Sequence, residues 1–203
     1  MPGTLFKQDL LRATGRSWEE WIAALQPAIG DAWPHEQIRN FIRREYEAAE
    51  DWAEWMAVMY GQLLGRVPVG VTKDAGVQIG VRKTINATKE RVWNFLVSEE
   101  GVSLWIGDTP PLSLRTGYEF KSMEGVSGKL TVVKPGQKLR LTWQLPEWER
   151  PSRLQLILLS TPSGSTTVAV HQEMLDDVYT REIMKRHWTQ ILERIRGRTE
   201  DES

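Results

Sequence analysis

Residues 137–145 read QKLRLTWQL, and the alternation within them decides the fold. Leu139, Leu141, Trp143 and Leu145 fall on one side of an extended chain and Lys138, Arg140, Thr142 and Gln144 on the other, the period of a strand with one face buried. Toward the C-terminus, Leu154, Leu156 and Leu158 repeat the pattern, Pro162-Ser163-Gly164 supplies a turn, and Thr166, Val168, Val170 and Gln172 share a face of the next strand. The period then changes, and Met184, Trp188, Ile191, Leu192 and Ile195 form the apolar stripe of one long helix, with a polar, frayed tail expected from Arg198 to Ser203. Toward the N-terminus, Val77, Ile79 and Val81 begin a strand. Thr88 caps a helix carrying Val92, Trp93, Leu96 and Val97, and Leu104 with Trp105 end a second short helical turn. The expected architecture is α+β: a curved antiparallel sheet wrapped around a long C-terminal helix and enclosing space.

The first 66 residues carry helical signals alone. Ser17 and Glu20 stand at the spacing of a capping box, followed by Trp18, Trp21, Ile22 and Leu25. Pro34 suits the first turn of a second helix holding Ile38, Phe41, Ile42 and Tyr46. From about Glu50 a third places Trp52, Trp55, Met56, Met59, Tyr60 and Leu63 at three- and four-residue intervals, with Gly65 placed to end it. A small three-helix domain over 14–66 is therefore expected, joined by the glycine-rich residues 65–77 to an α+β domain over 77–197.

Composition narrows the function. The 203 residues hold 26 basic and 27 acidic side chains, a formal net charge of −1, so nothing attracts the chain in bulk to nucleic acid or an anionic membrane. The absence of cysteine removes disulfides, thiolate metal sites and cysteine nucleophiles. No signal peptide and no stretch near the ~20 apolar residues of a membrane span is present, and a cytoplasmic protein is expected.

Several features of residues 77–195 recur in order and spacing in one family. They are Arg82-x-x-Ile85-x-Ala87 leading to Val92-Trp93, then Trp105, Gly117-Tyr118-x-Phe120, Gly128, Lys134-Pro135, Leu139-x-Leu141-Thr142-Trp143 and Trp188-x-x-Ile191-Leu192. This part of the chain resembles the activator of heat-shock protein 90 ATPase homologue family, within the START and pollen-allergen-like helix-grip superfamily (SRPBCC). The resemblance implies a helix-grip fold with an interior cavity. The chain departs from its relatives in the last strand, where they commonly carry an inward histidine followed by glycine; here alternation turns Gln172 inward and His171 outward. The N-terminal part resembles a short helical domain of unknown function through Gly15-x-Ser17-x-x-x-Trp21, Trp33-x-His35 and Trp52 with Tyr60 eight residues on. Glu54 stands where those relatives often have glutamine, and their Trp-Trp pair is broken.

The candidate ligand site is the interior itself. Trp93, Trp105, Phe120, Leu141, Trp143, Leu156, Val170, Gln172, Met184 and Trp188 are expected to face one volume, which is either an apolar pocket or a fully packed core. His35, His171 and His187 lie on three separate elements at no metal-ligand spacing, and no metal or cofactor is expected. No Gly-x-Ser-x-Gly elbow is present, and Gly125-Val126-Ser127-Gly128 lacks the lysine and helix of a phosphate loop. Asp108, Glu119 and Glu124 are the acids that a cavity mouth would turn into acid or base. Arg181, Lys185, Arg186, Arg194, Arg196 and Arg198 give the last helix a basic bias, read as a solvated face.

These residues favour a non-catalytic binding module for a small apolar or amphipathic ligand, with the N-terminal helices as a lid, a protein-interaction surface or a homodimer element. A co-chaperone-like module that docks on and stimulates a heat-shock ATPase, with a role in stress response, is the alternative the resemblance implies. An enzyme using a cavity acid or base ranks third. An open cavity of ~300 Å³ or more marks the first reading, and a closed core with an exposed apolar patch marks the second; some of the tryptophans from Trp18 to Trp55 are candidates for that patch.

Overall fold

Helix α1 (Pro2–Thr14) precedes the first helix expected from the sequence, so the N-terminal part holds four helices among the described residues rather than three. The computed structural model describes residues 2–64, 71–72, 76–176 and 178–200. They fall into two units, one of Met1–Val71 with Asp177–Ile183 and one of Thr72–Asp176 with Met184–Ser203. Residues 65–70 and 73–75 of the expected linker lie outside the described set, and Val71–Thr72 form a short strand, β1.

In the first unit, Ser17 opens α2 (Trp18–Leu25) with both arms of its capping box. The hydroxyl accepts from Glu20 N at 3.2 Å and the Glu20 carboxylate accepts from Ser17 N at 2.7 Å. Pro34 stands just before α3 (His35–Tyr46), and Glu47 leaves that helix in the left-handed conformation (φ 52°). Helix α4 (Glu50–Leu63) presents Trp52, Trp55, Met56, Met59 and Tyr60 to the core with Leu10, Trp21, Leu25, Ile38 and Ile42. Trp55 meets Trp18 edge-on at 5.1 Å and Trp52 at 6.3 Å. The aromatic residues offered as an exposed patch are thus mostly core: Trp21, Trp52 and Trp55 are buried, and Trp18 and Trp33 half-buried.

In the second unit, β2 (Gly76–Ile85) is followed by α5 (Lys89–Val97), where the Thr88 hydroxyl accepts from Arg91 N at 3.3 Å, and by α6 (Glu99–Trp105), capped by Ser98. The meander comprises β3 (Glu119–Lys121), β4 (Ser127–Lys134), β5 (Lys138–Gln144), β6 (Ser152–Ser160) and β7 (Thr166–Leu175). The sheet order is β1-β2-β7-β6-β5-β4-β3, and the ladders from β2 onward are antiparallel, with irregularities at Val77/Ile79 and Leu130/Val132. Helix α7 (Val178–Glu200) closes the fold. It runs further than the expected fraying point: Thr199 is buried, its hydroxyl donating to Ile195 O at 2.8 Å. This is the helix-grip α+β fold. Among the described residues no helix is long and apolar enough to cross a membrane.

Candidate functional site

Strand β5 organises the interior of the second unit. Its register sets Leu141 between Leu130 and Leu154, and Trp143 between Gly128 and Ser152. Gly128 is required there: a Cβ would lie 2.0 Å from Thr142 O and 2.6 Å from the Phe120 ring, which covers the strand at that point. Strand β7 sets Val170 beside Leu156 and Gln172 beside Leu154. Trp93 comes from α5, Trp105 from α6, and Met184 and Trp188 from α7. The nine apolar residues of the expected lining meet in one core cluster, and Gln172 is fully buried.

None of the ten is more than 6% exposed. A space wide enough for a ligand would leave water-sized access on its walls, so in this structure the walls rest on one another at ordinary interior density.

A hydrogen-bond relay runs through this apolar volume. Trp188 Nε1 donates to Gln172 Oε1 at 2.8 Å, and Gln172 Nε2 donates to Ser152 Oγ at 2.8 Å. Ser152 Oγ donates to Trp143 O at 2.7 Å, Trp143 Nε1 to Trp105 O at 3.2 Å, and Trp105 Nε1 to Leu96 O at 3.1 Å. Each bond satisfies a buried group that would otherwise cost about 1–3 kcal/mol, and together they tie β5, β6, β7, α5, α6 and α7 into one arrangement. Ser152 was legible but unread: it has the same strand parity as Leu154, Leu156 and Leu158, which faces inward.

His187 lies against this core. Its ring is 6.1 Å from that of Trp143 and 5.5 Å from that of Trp188, and Trp148 meets Trp143 edge-on at 5.4 Å. Its Nε2 is withdrawn from solvent and has no hydrogen-bond partner among the described residues. Burial, with the positive charge of Arg194 second, pushes the imidazole down to about 4, so it is neutral at neutral pH. Sequence reading set it aside as one of three scattered histidines, yet it stands three residues after Met184 and four before Ile191, on the same stripe.

The other candidates are not brought together. Asp108, Glu119 and Glu124 are exposed. Glu119 pairs with Lys129 at 3.1 Å. Hydrogen bonds from the Glu124 backbone, the Ser122 side chain and Asp108 N hold the Glu124 carboxyl below the usual carboxylate range, the reverse of a poised acid. His171 turns away from the core and meets Gln78 Oε1 at 3.0 Å, while His35 meets both oxygens of Glu54 at 3.0 Å on the helices of the first unit. Among the described residues no group of three or more His, Cys, Asp or Glu is placed to hold a metal ion. A surface hollow of about 480 Å³ beside α5 is open and polar, lined in part by Arg91, Asn94, Glu100 and Arg198, with Arg198 and Glu100 paired at 3.4 Å.

Residues 86–200 match the family described as Activator of Hsp90 ATPase homolog 1-like protein. No curated protein matches the chain. Solved structures similar to it include protein MLL2253 from Mesorhizobium loti, with 21% identity, TM-score 0.51, and coverage of 59% of this chain and 94% of that one. CalU16 from Micromonospora echinospora follows at 19% identity and TM-score 0.51, covering 59% and 71%. The Aha1 dimer from Colwellia psychrerythraea shows 17% identity and TM-score 0.52, covering 61% and 96%. At these identities the likeness is one of fold.

Proposed function

The chain belongs to the Activator of Hsp90 ATPase homolog 1-like family, and from that premise we propose that its second unit is a non-catalytic module that takes a small apolar or amphipathic molecule into the interior under α7. The supporting observation is His187 Nε2, a buried polar atom without a hydrogen-bond partner among the described residues, on a ring flanked by the indoles of Trp143 and Trp188. Buried polar groups are nearly always paired, and small-molecule sites combine apolar walls with a few polar groups awaiting the ligand. The proposed lining is Trp93, Trp105, Phe120, Leu141, Trp143, Leu156, Val170, Gln172, Met184 and Trp188. Entry requires these walls to part, and the half-buried Trp148, on the loop between β5 and β6, is the aromatic that moves without unpairing a strand. Catalysis has less support: among the described residues His187 has no carboxylate or hydroxyl partner to work with. The test is native mass spectrometry of the purified chain, then titration with fatty-acid and aromatic panels read by tryptophan fluorescence. A co-purifying molecule or saturable quenching supports the reading; silence throughout sinks it.

A second reading is favoured by the closed interior: a co-chaperone-like module that acts through its surface on a heat-shock ATPase. A rise in steady-state ATP turnover by Hsp90 on adding the chain would support it. The N-terminal helices are assigned to a protein partner or a second copy, since Leu11 and Leu63 stand 48% and 57% exposed there. A concentration-dependent sedimentation coefficient lost in the double variant Leu11→Lys, Leu63→Lys would support the second copy.

A further inference from the structure

We propose that the outer face of the sheet, turned away from α7, is a docking surface for an extended acidic polypeptide segment with apolar residues between its carboxylates. This goes beyond both readings above, neither of which gives that face a role. Alternation sends Lys138 and Arg140 of β5, Ile157 and Leu159 of β6, Ala169 of β7 and Arg82 of β2 outward, since their strand neighbours are the buried core. Register then sets them in one row: Lys134 stands opposite Lys138, Lys138 opposite Ile157, Ile157 opposite Ala169, and Ala169 opposite Arg82.

The two ends of this face differ in charge. Toward one end Lys129 pairs with Glu119 at 3.1 Å and Arg153 with Glu173 at 3.0 Å. Around the row, among the described residues, no carboxylate lies within ion-pair distance of Arg82, Lys134, Lys138 or Arg140. These cations gather in a chain whose formal net charge is −1. Like charges directly opposite on a sheet repel, as Lys134 and Lys138 do here, and an incoming carboxylate relieves that. The Arg140 guanidinium is already held, Nη2 donating to Gln155 Oε1 at 3.3 Å, while its Nε has no hydrogen-bond partner among the described residues. A side chain fixed in advance loses little freedom on binding.

The apolar centre selects the class of partner. Ile157 is half-buried, Leu159 is 48% exposed, and Ala169 lies between Ile157 and Arg82. A phosphate backbone gains nothing from such a centre, whereas a polypeptide covers it with apolar side chains inside a charged rim. Lys138 and Arg82 are three strand spacings apart, about 14 Å, which is also the reach of about four residues of extended chain. Acids four residues apart with an apolar residue midway therefore match the row.

The experiment follows the fluorescence anisotropy of a labelled peptide repeating Glu-Ser-Leu-Ser three times, titrated with the full chain at low salt. Saturable binding is expected, fading as salt rises, weaker when Ser replaces every Leu and absent when Lys replaces every Glu. The double variant Lys138→Glu, Arg140→Glu should weaken it about tenfold, the effect of two ion pairs of ordinary exposed strength. Lys134→Glu with Arg82→Glu, both at exposed positions, gives the same readout should the first variant fail to fold. Lys185→Glu with Arg194→Glu, exposed cations of α7, makes the same change of net charge and should leave binding as it was. No binding of the peptide, or equal losses in the sheet and α7 variants, would overturn the proposal. So would a DNA duplex or phosphatidylserine vesicles bound more tightly than the peptide and released by the sheet variants, which would give the face to a polyanion instead.

Discussion

The chain has two tryptophan-rich interiors of equal count, Trp18, Trp21, Trp33, Trp52 and Trp55 in the helical unit and Trp93, Trp105, Trp143, Trp148 and Trp188 in the sheet unit, and they use the residue differently. In the helical unit the indoles work mainly as volume. Trp55 is edge-on to Trp18 and Trp52, Trp21 is edge-on to Tyr46 at 4.9 Å, and the indole bond from Trp21 Nε1 to Thr14 Oγ1 at 2.9 Å is local to seven residues of sequence. In the sheet unit the indole N–H groups are links in a relay whose members lie 9 to 38 residues apart. Helix faces bury rings by spacing alone, whereas a sheet closed by a helix must also satisfy the polar groups that its register carries inside. The sheet interior keeps one buried ring nitrogen, His187 Nε2, without a hydrogen-bond partner among the described residues.

The comparison breaks most visibly at Trp143. Trp143→Ala should cost about 3–5 kcal/mol, the range for a fully buried large aromatic, because it empties the centre of the cluster and removes the N–H that serves Trp105 O. Trp18→Ala, at a half-buried position of the helical unit, should cost less than half of that. Denaturant midpoints of the two variants decide it; equal losses would mean that the relay adds nothing to packing.

The next largest effect is the pH dependence that His187 of the sheet unit supplies. The folded pKa is depressed to about 4 from the ordinary 6.5, so between these values the unfolded chain takes up a proton that the folded chain refuses. Stability from this group is therefore whole above about pH 6.5, falls as pH drops toward 4, and changes no further below it. The total is at most about 3 kcal/mol. His187→Phe should flatten the part of the slope between pH 6.5 and 5, before carboxylates titrate. An unchanged slope would place the imidazole in water.

Smaller again is the cost of breaking the relay at its polar centre. Gln172→Leu strips Trp188 Nε1 of its acceptor and should cost about 1–3 kcal/mol. Trp188→Phe added to it should cost less than Trp188→Phe alone, because the orphaned donor leaves with the indole; strict additivity would argue that water already serves Trp188.

This centre shows where sequence reading reaches and where it stops. Strand parity is local, so it placed Gln172 inward and His171 outward, and it set Leu141, Trp143, Leu156 and Val170 on inward faces of their strands. A relay is not local. Its partners are fixed by register between β5, β6 and β7 and by the closure of α7, and no window of sequence holds both ends of a bond such as Trp143 Nε1 to Trp105 O. Helix α1 escaped for the opposite reason: its buried Leu10 finds its neighbours only in the folded unit. Some of the tryptophans from Trp18 to Trp55 were candidates for a surface patch because spacing reports that rings share a face, and leaves open what covers it.

The smallest effect bears on how each unit starts its helices. Ser17 has two bonded arms, its hydroxyl accepting from Glu20 N and its N–H donating to the Glu20 carboxylate, while the Thr88 hydroxyl in the sheet unit accepts from Arg91 N at 3.3 Å. Helix α2 has eight residues, too few to persist without help, so its start relies on the cap and on the burial of Trp21 and Leu25. Ser17→Ala should cost about 1 kcal/mol and Thr88→Ala less, both read as shifts of the denaturant midpoint. Ser17→Gly, which keeps the backbone geometry of the cap but not its hydroxyl, should recover part of the loss. If Ser17→Ala is neutral, packing alone sets the start of α2 and the capping box is its consequence; if it costs as expected, the helical unit is specified by local chemistry to the same degree that the sheet unit is specified by contacts distant in sequence.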